Sequence, residues 1–273
     1  MQLITLLAFL FFGCSKEPLH FKGTAHNHPY HVQIGHSLSK KEKKEIQRII
    51  EETFLEIDTC YNHWNPNSDL SRGIQTEKVA SILTLAHSFY ELSEGWFNPK
   101  VGAPIKAFKQ TGVLPTLTLP EAYDLDGMLK GFAIDLIAQR LLNKGYKNLY
   151  VEWGGDLRVE GKHPKGREWQ VLLNNQPFPL KSASLATSGC KEQLWKIGNA
   201  TYTHIIDPHT LEMIEVKNGH VHEVSVKAPS CALADALATA CMACGSLEKA
   251  HVFAKKIKIE YPEVEFWITS YEL

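Results

Sequence analysis

Asp235 and Thr239 stand four residues apart in the run Ala234-Asp235-Ala236-Leu237-Ala238-Thr239. A helix there presents a carboxylate and a hydroxyl one above the other on a single face. Both are hard oxygen donors, which suits Mg2+ or Ca2+ and not zinc. The competing reading is an Asp bonded to local backbone near a helix start. A second stretch, from Asp124 through Asp126, Leu129 and Lys130 to Asp135, reads as a turn leading into a helix. Free N–H groups at such a start attract an anion, and Lys130 adds a cation; the plainer reading is a capped helix with solvated Asp and Lys. Trp153-Gly154-Gly155-Asp156 puts two glycines behind a strand, so the backbone can turn sharply or approach a ligand. Thr187-Ser188-Gly189 is a similar small-residue turn. His204 lies inside an apolar strand that ends in Asp207-Pro208, where packing competes with chemistry as its role. His26, His28, His31 and His36 crowd the first strand; a zinc or copper site on the face shared by His26 and His28 lacks any interleaved carboxylate or Cys.

The elements that must position these groups follow from periodicity. Residues 24–35 read as the first strand, and Ser39 with Glu42 forms a capping box ahead of Ile46, Ile49, Ile50, Phe54, Ile57 and Tyr61 at helical spacing. Asn65-Pro66-Asn67-Ser68 ends that helix, and Val79, Ile82, Leu83, Ala86 and Phe89 mark a second. A third spans residues 130–144 and stops at Gly145, a fourth 231–244, and a fifth continues to Lys258. Strands are expected at 148–153, 169–174, 184–188, 201–206, 223–228 and 265–269. Grouped strands between grouped helices predict an α+β fold and not a doubly wound parallel sheet. Neither a G-x-G-x-x-G fingerprint nor a P-loop is present, so a nucleotide would be held another way.

The chain has 273 residues with 29 Lys+Arg against 30 Asp+Glu, a formal charge of −1. That near-neutral balance gives no broad field for nucleic acid, and no nucleic-acid partner is expected. The apolar run from Leu3 to Phe12, followed by Gly13-Cys14, is too short to span a bilayer and reads as a secretory signal with a lipobox. The expected organisation is a lipoprotein signal peptide at 1–13, a lipidated tether at 14–20 starting from Cys14, and one catalytic unit at 21–273. Acyl chains on Cys14 would anchor it to the cell membrane, facing the periplasm or exterior. Cys60, Cys190, Cys231, Cys241 and Cys244 make an odd set, and the C-x-x-C pair sits in an Ala-rich helical stretch where thiols act as small apolar residues.

Taken in order, the motifs resemble the ApbE family, the FAD:protein FMN transferases. Its marks are Ser68-Asp69-Leu70-Ser71-Arg72, the 95–102 segment with Trp96-Phe97-Asn98, the 126–135 segment, Gly154-Gly155-Asp156, Ala186-Thr187-Ser188-Gly189, His204-Ile205-Ile206-Asp207-Pro208 and the 234–239 run. The resemblance implies an ApbE-like, T-fold-like unit of mainly antiparallel sheets packed with helices. It implies Mg2+-dependent transfer of FMN from FAD to a Ser or Thr hydroxyl of an acceptor protein, with AMP released. The family's usual acceptor is a membrane redox-complex subunit. By resemblance Asp235 and Thr239 supply side-chain ligands to the metal, and Leu129 and Ala238 backbone carbonyls. His26, Trp64, Trp96, Phe97, Asn98, Asp126, Phe132 and Ile206 fall at flavin and adenine positions, while His204 and Asp135 fall at catalytic ones. His26 stands where the family usually has Met, and Leu211-Glu212 where it has Gly. Two rivals share the motifs: an FAD pyrophosphatase giving FMN and AMP, and a non-catalytic FAD-binding lipoprotein.

Overall fold

The computed structural model describes residues 17–102, 106–107, 122–189 and 194–271. The signal peptide and Cys14 lie outside the described residues. The first strands are β1 (Leu19–Ala25) and β2 (His28–Ile34), followed by helix α1 (Lys40–Glu56), whose Ser39/Glu42 capping box is formed as expected. Residues Ile57–Tyr61 extend α1 by a π turn, in which the Asn62 N–H reaches the Ile57 carbonyl at 3.0 Å. Helix α2 is Glu77–Leu92 and α3 is Asp126–Asn143. Then come β3 (Leu149–Trp153), β4 (Asp156–Glu160), β5 (Trp169–Leu173), β6 (Gln176–Leu180), β7 (Ala183–Gly189), β8 (Leu194–Ile197), β9 (Ala200–Ile206), β10 (Met213–Glu215) and β11 (Val221–Ala228). Helices α4 (Cys231–Ala243) and α5 (Leu247–Glu260) and strand β12 (Glu265–Ser270) end the described chain.

Seven strands form one antiparallel sheet in the order β1-β2-β3-β4-β7-β11-β12. One face carries the main core: Val32, Ile34, Val151, Val224 and Val226 from the sheet against Ile46, Ile50, Ile134, Ile137 and Leu141 from α1 and α3. Leu157, Val159 and Leu185 on the other face form a smaller cluster with Trp169, Val171 and Leu180 of the β5–β6 hairpin. A separate three-stranded sheet has the order β10-β9-β8. This is the expected α+β architecture of mainly antiparallel sheets.

Four corrections concern turns and strand edges. The single strand read at 24–35 is a hairpin, because His26 and Asn27 both take left-handed backbone (φ 46° and 67°) and reverse the chain. A two-residue turn with both φ positive matches the twist of the strands it joins, and Asn tolerates it well. His26 and His28 therefore share no strand face. Gly154 and Gly155 (φ 59° and 94°) make the equivalent turn between β3 and β4, with the Gly155 N–H donating to Glu152 at 2.9 Å. β4, β6, β8 and β10 were not expected from sequence; Pro177 and Pro179 in β6 masked that strand, and β10 has only three residues. Helix α3 begins at Asp126, not near Lys130, which places Lys130 inside the helix and not at its mouth.

Candidate active site

The contact between α3 and α4 builds the site. Gly127 and Gly131 occur at i and i+4 on α3, on one helix face. A Cβ at Gly131 would run into the Cys231 carbonyl, and one at Gly127 would lie 2.8 Å from Cγ2 of Thr239. Only glycine lets the two helices approach so closely. α4 answers with Ala232, Ala234, Ala236, Ala238 and Ala240, all buried. This close crossing sets Asp235 and Thr239 against α3 backbone. The Gly131 N–H donates to Oδ2 of Asp235 at 3.1 Å, and the Thr239 hydroxyl donates to the Gly127 carbonyl at 3.4 Å. Ser188 Oγ from β7 lies 3.3 Å from Thr239 Oγ1.

Charge around this crossing is unbalanced. Asp235 is 3% exposed and Asp156, behind the Gly154-Gly155 turn, is 1% exposed. Lys130 donates to Asp156 at 2.7 Å, and Asp156 also accepts the Thr187 N–H at 3.0 Å. Burial works to lower the Lys130 pKa, but Asp156 and Asp235 outweigh it and hold the ammonium charged. Burial, reinforced by Asp156, raises Asp235 from the ordinary carboxylate range to about 7, against the pull of Lys130 and the Gly131 N–H. Two buried carboxylates thus share one ammonium. Lys130 is a counter-ion within the helix pair, so the expectation of an anion held by Lys130 at a helix mouth is corrected. The donors along this crossing are a carboxylate on Asp235 and, one turn on, the Thr239 hydroxyl beside the Gly127 carbonyl, all hard oxygens, and two buried carboxylates have one ammonium between them. That combination fits a hard divalent cation.

The structure distinguishes among the residues expected to share this site. Thr239 Oγ1 meets the carbonyl of Gly127, two residues before Leu129, whose side chain is buried in the core. Ala238 is buried in α4 next to Thr239. Asp135 is a helix anchor: Oδ1 accepts Arg158 at 2.7 Å and the Cys231 N–H at 3.0 Å, and Oδ2 accepts the Ala232 N–H at 2.9 Å. Free N–H groups at a helix start favour a carboxylate there. With both oxygens bonded to Arg158 and the first N–H groups of α4, Asp135 positions that helix.

Around α3 stand the flat side chains. Trp64 Nε1 donates to Oδ2 of Asp126 at 2.8 Å, joining two residues 62 positions apart, and the Lys106 ammonium sits 5.6 Å above the indole. Phe132 meets Tyr61 edge-on at 5.5 Å, Tyr61 being delivered by the π turn. His26 rests against Phe54 and Trp153 (ring centroids 6.3 and 5.8 Å), with Nε2 3.2 Å from the Phe54 carbonyl. Trp96 meets His209 edge-on at 4.5 Å, which ties the 95–98 segment to the β9–β10 turn. Asn98 accepts the Lys100 N–H at 2.9 Å. Phe97 is 3% exposed and packs on Phe89, so it is core and not an accessible wall. His204 is half-buried on β9, and Ile206 is buried at its end. The turn that follows holds Leu211 at φ 60°.

Sequence reasoning did not single out His63. It is buried with Nε2 3.8 Å from Asp124 and Nδ1 3.6 Å from Asp126, and these three residues form a group able to hold a cation. Gly127 was likewise passed over, although its spacing from Gly131 was the available signal. The buried Cys241 and Cys244 are free thiols, and burial lifts Cys244 to about 12, as expected of packing residues.

A model of the ApbE family matches residues 117–262. A curated relative, the FAD:protein FMN transferase of Chlamydia muridarum (strain MoPn / Nigg), is 33% identical, with 93% of each chain covered. The FAD:protein FMN transferase of Vibrio cholerae serotype O1 is 28% identical over 85% of this chain and 84% of its own. Among solved structures, the flavinyl transferase ApbE of Pseudomonas stutzeri in its apo form superposes with a TM-score of 0.78 at 20% identity, covering 94% of this chain and 92% of that one. At that identity the likeness speaks for the fold. The family match over more than half the residues, with a relative this similar along nearly the full length, places the chain within the ApbE family.

Proposed function

We propose that this protein transfers the FMN part of FAD to a hydroxyl of an acceptor protein and releases AMP. The observation that carries the reading is the glycine-permitted crossing of α3 and α4, where the buried Asp235 carboxylate accepts the Gly131 N–H and, one turn along α4, Thr239 Oγ1 meets the Gly127 carbonyl, with Asp235 and Asp156 sharing the one Lys130 ammonium. In the reaction the acceptor oxygen bonds to the FMN phosphorus while the bond from that phosphorus to the bridging oxygen breaks. AMP departs with the bridging oxygen and its electron pair. The hydroxyl proton must go to a base, and His204 is the candidate. Asp235, Thr239 and the Gly127 carbonyl would hold Mg2+, which when bound supplies charge neutralisation at the pyrophosphate. Lys130 keeps Asp156 neutralised and Asp135 fixes the start of α4, so the ligand pair is set before substrate arrives. Trp64 and Phe132 offer flat surface for the isoalloxazine or adenine, with Asp126 holding the indole.

The acceptor group is taken to be a Ser or Thr of a membrane redox-complex subunit. Cys14 is taken to carry the lipid that holds the enzyme on the outer side of the cell membrane. FAD, an acceptor domain and Mg2+ are to be incubated with the enzyme, with and without a chelator. A flavin-labelled acceptor band that the chelator abolishes supports the reading. Free FMN and AMP with no labelled acceptor would replace it with pyrophosphatase chemistry, and tight FAD binding with no AMP would replace it with carriage. Radiolabelled palmitate incorporation lost in Cys14→Ala tests the anchor.

A further inference from the structure

The outward face of the β1–β2 hairpin carries two imidazoles that the flavin chemistry does not use. His20 and His31 stack with ring centroids 5.0 Å apart, and Nδ1 of His20 lies 2.7 Å from Nε2 of His31. In the strand register His20 faces Gln33 and Lys22 faces His31, so the two histidines are diagonal neighbours on the pleat. β1 is the edge of the seven-stranded sheet, and His20 is exposed to solvent. We propose that His20 and His31 form a two-imidazole chelate for a borderline divalent cation of the Zn2+ or Cu2+ class, clipping the edge strand β1 to β2.

Three observations support it. The first is distance. Two imidazole nitrogens bound at about 2.0–2.1 Å are about 2.9 Å apart in a square-planar cis arrangement and about 3.3 Å apart in a tetrahedral one. From the head-on contact at 2.7 Å the separation is nearly right, and each ring must turn by about 35–45° for both lone pairs to meet one cation, a reorientation that the solvent-exposed edge strand leaves room for. The second is proton occupancy. Burial, then Lys22 and His20, lowers His31 to about 4, so its ring is neutral near pH 7 and no proton must be displaced from it. The third is surroundings. The Glu17 carboxylate is close enough to interact with both His20 and His163, adding negative charge beside the pair, while Tyr150 flanks the His31 ring at 5.9 Å. Lys22 is the one adverse neighbour named by the register, and it supplies a handle for testing. Nitrogen donors also separate this site chemically from the oxygen donors at Asp235 and Thr239, so the two would select different cations.

The full-length chain, in excess Mg2+ to fill hard-oxygen sites, is titrated with Zn2+ by calorimetry and with Cu2+ by electron paramagnetic resonance. His20→Ala and His31→Ala should each weaken the tightest Zn2+ step at least about tenfold, since each removes half of the imidazole donors. The Cu2+ spectrum should drop from two coupled nitrogens to one. Lys22→Gln should tighten binding about two- to fivefold by removing an exposed like charge. His20→Gln repeats the test with a polar side chain should His20→Ala disturb the strand, and melting curves report folding. FMN transfer by His20→Ala should match the wild type. Unchanged Zn2+ affinity in the folded variants, or a Cu2+ spectrum insensitive to both substitutions, would show that the pair is only a hydrogen bond between rings.

Discussion

Gly127→Ala separates the geometry of the helix crossing from the chemistry of the side chains around it. The added methyl carbon would stand 2.8 Å from Cγ2, 2.9 Å from Oγ1 and 3.2 Å from Cβ of Thr239. Carbon atoms in ordinary contact sit about 3.5–4.0 Å apart, so roughly 0.7 Å must be found somewhere. Thr239 is on the second half of α4 and can yield by rotating its side chain, which carries Oγ1 away from the Gly127 carbonyl. Overpacking of this kind costs about 1–3 kcal/mol, and Ala in place of Gly returns up to about 1 kcal/mol of helix propensity. The net loss of stability is therefore about 0–2 kcal/mol, too little to unfold the protein. Displacement of one ligand by nearly an ångström should cost transfer about 10²-fold. The assay is FMN transfer at increasing Mg2+ alongside urea unfolding. Activity in Gly127→Ala should demand at least about tenfold more Mg2+, and Thr239→Ser in the same chain, which removes Cγ2, should restore part of it. Wild-type rate and Mg2+ dependence in Gly127→Ala would refute the claim that this crossing holds the metal.

Asp235→Asn should lower transfer at least about 10²-fold and abolish Mg2+-induced thermal stabilisation while the metal-free protein stays folded, because it removes a buried charge without changing shape; retained Mg2+-dependent turnover would contradict it. His204→Ala should slow turnover by about 10²-fold if the imidazole takes the acceptor proton, and an unchanged rate would assign His204 to packing. Burial pushes Glu56 up, yet Lys78, Arg140 and Tyr61 outweigh it and hold the carboxyl below its usual value. Such a group contributes stability above its unfolded pKa and loses it as pH falls through the folded one, so Arg140→Met should move the acid-unfolding midpoint to higher pH. Leu211 is held at φ 60° where the family has Gly, so Leu211→Gly should stabilise by about 1 kcal/mol in urea unfolding; destabilisation would mean that the half-exposed side chain matters more than the strain.

Helix positions were legible because their apolar periodicity is long: Ile46, Ile49, Ile50 and Phe54 are buried on α1 as the spacing required. Strands β3, β5, β7, β9, β11 and β12 were legible, and β4, β6, β8 and β10 were not. The hairpin at His26-Asn27 was hidden because that pair has no glycine to announce a tight turn, and the left-handed backbone of both residues marks the reversal. Asp235 and Thr239 were legible as a pair because both lie on one helix, where spacing alone fixes their relation. Lys130 and His63 were not, because their partners are supplied by other elements: Asp156 comes from a strand after α3, and Asp124 and Asp126 lie about 60 positions from His63.

The Gly127 carbonyl meets Thr239 through the helix crossing, a relation that spacing along the chain does not carry. Matching counts positions along the chain, and by resemblance it places a metal-ligating carbonyl at Leu129. Which carbonyl meets a neighbouring helix depends instead on where α3 starts and which face it turns to α4. Both are set by the glycine pair, since only the face bearing Gly127 and Gly131 can come within reach of Thr239 and Cys231. The close approach of α3 to α4 at this point requires the absence of a side chain. The residue that lets α3 and α4 close on each other is therefore found by asking where a Cβ could not be tolerated, and Gly127 satisfies that test against the Thr239 side chain itself.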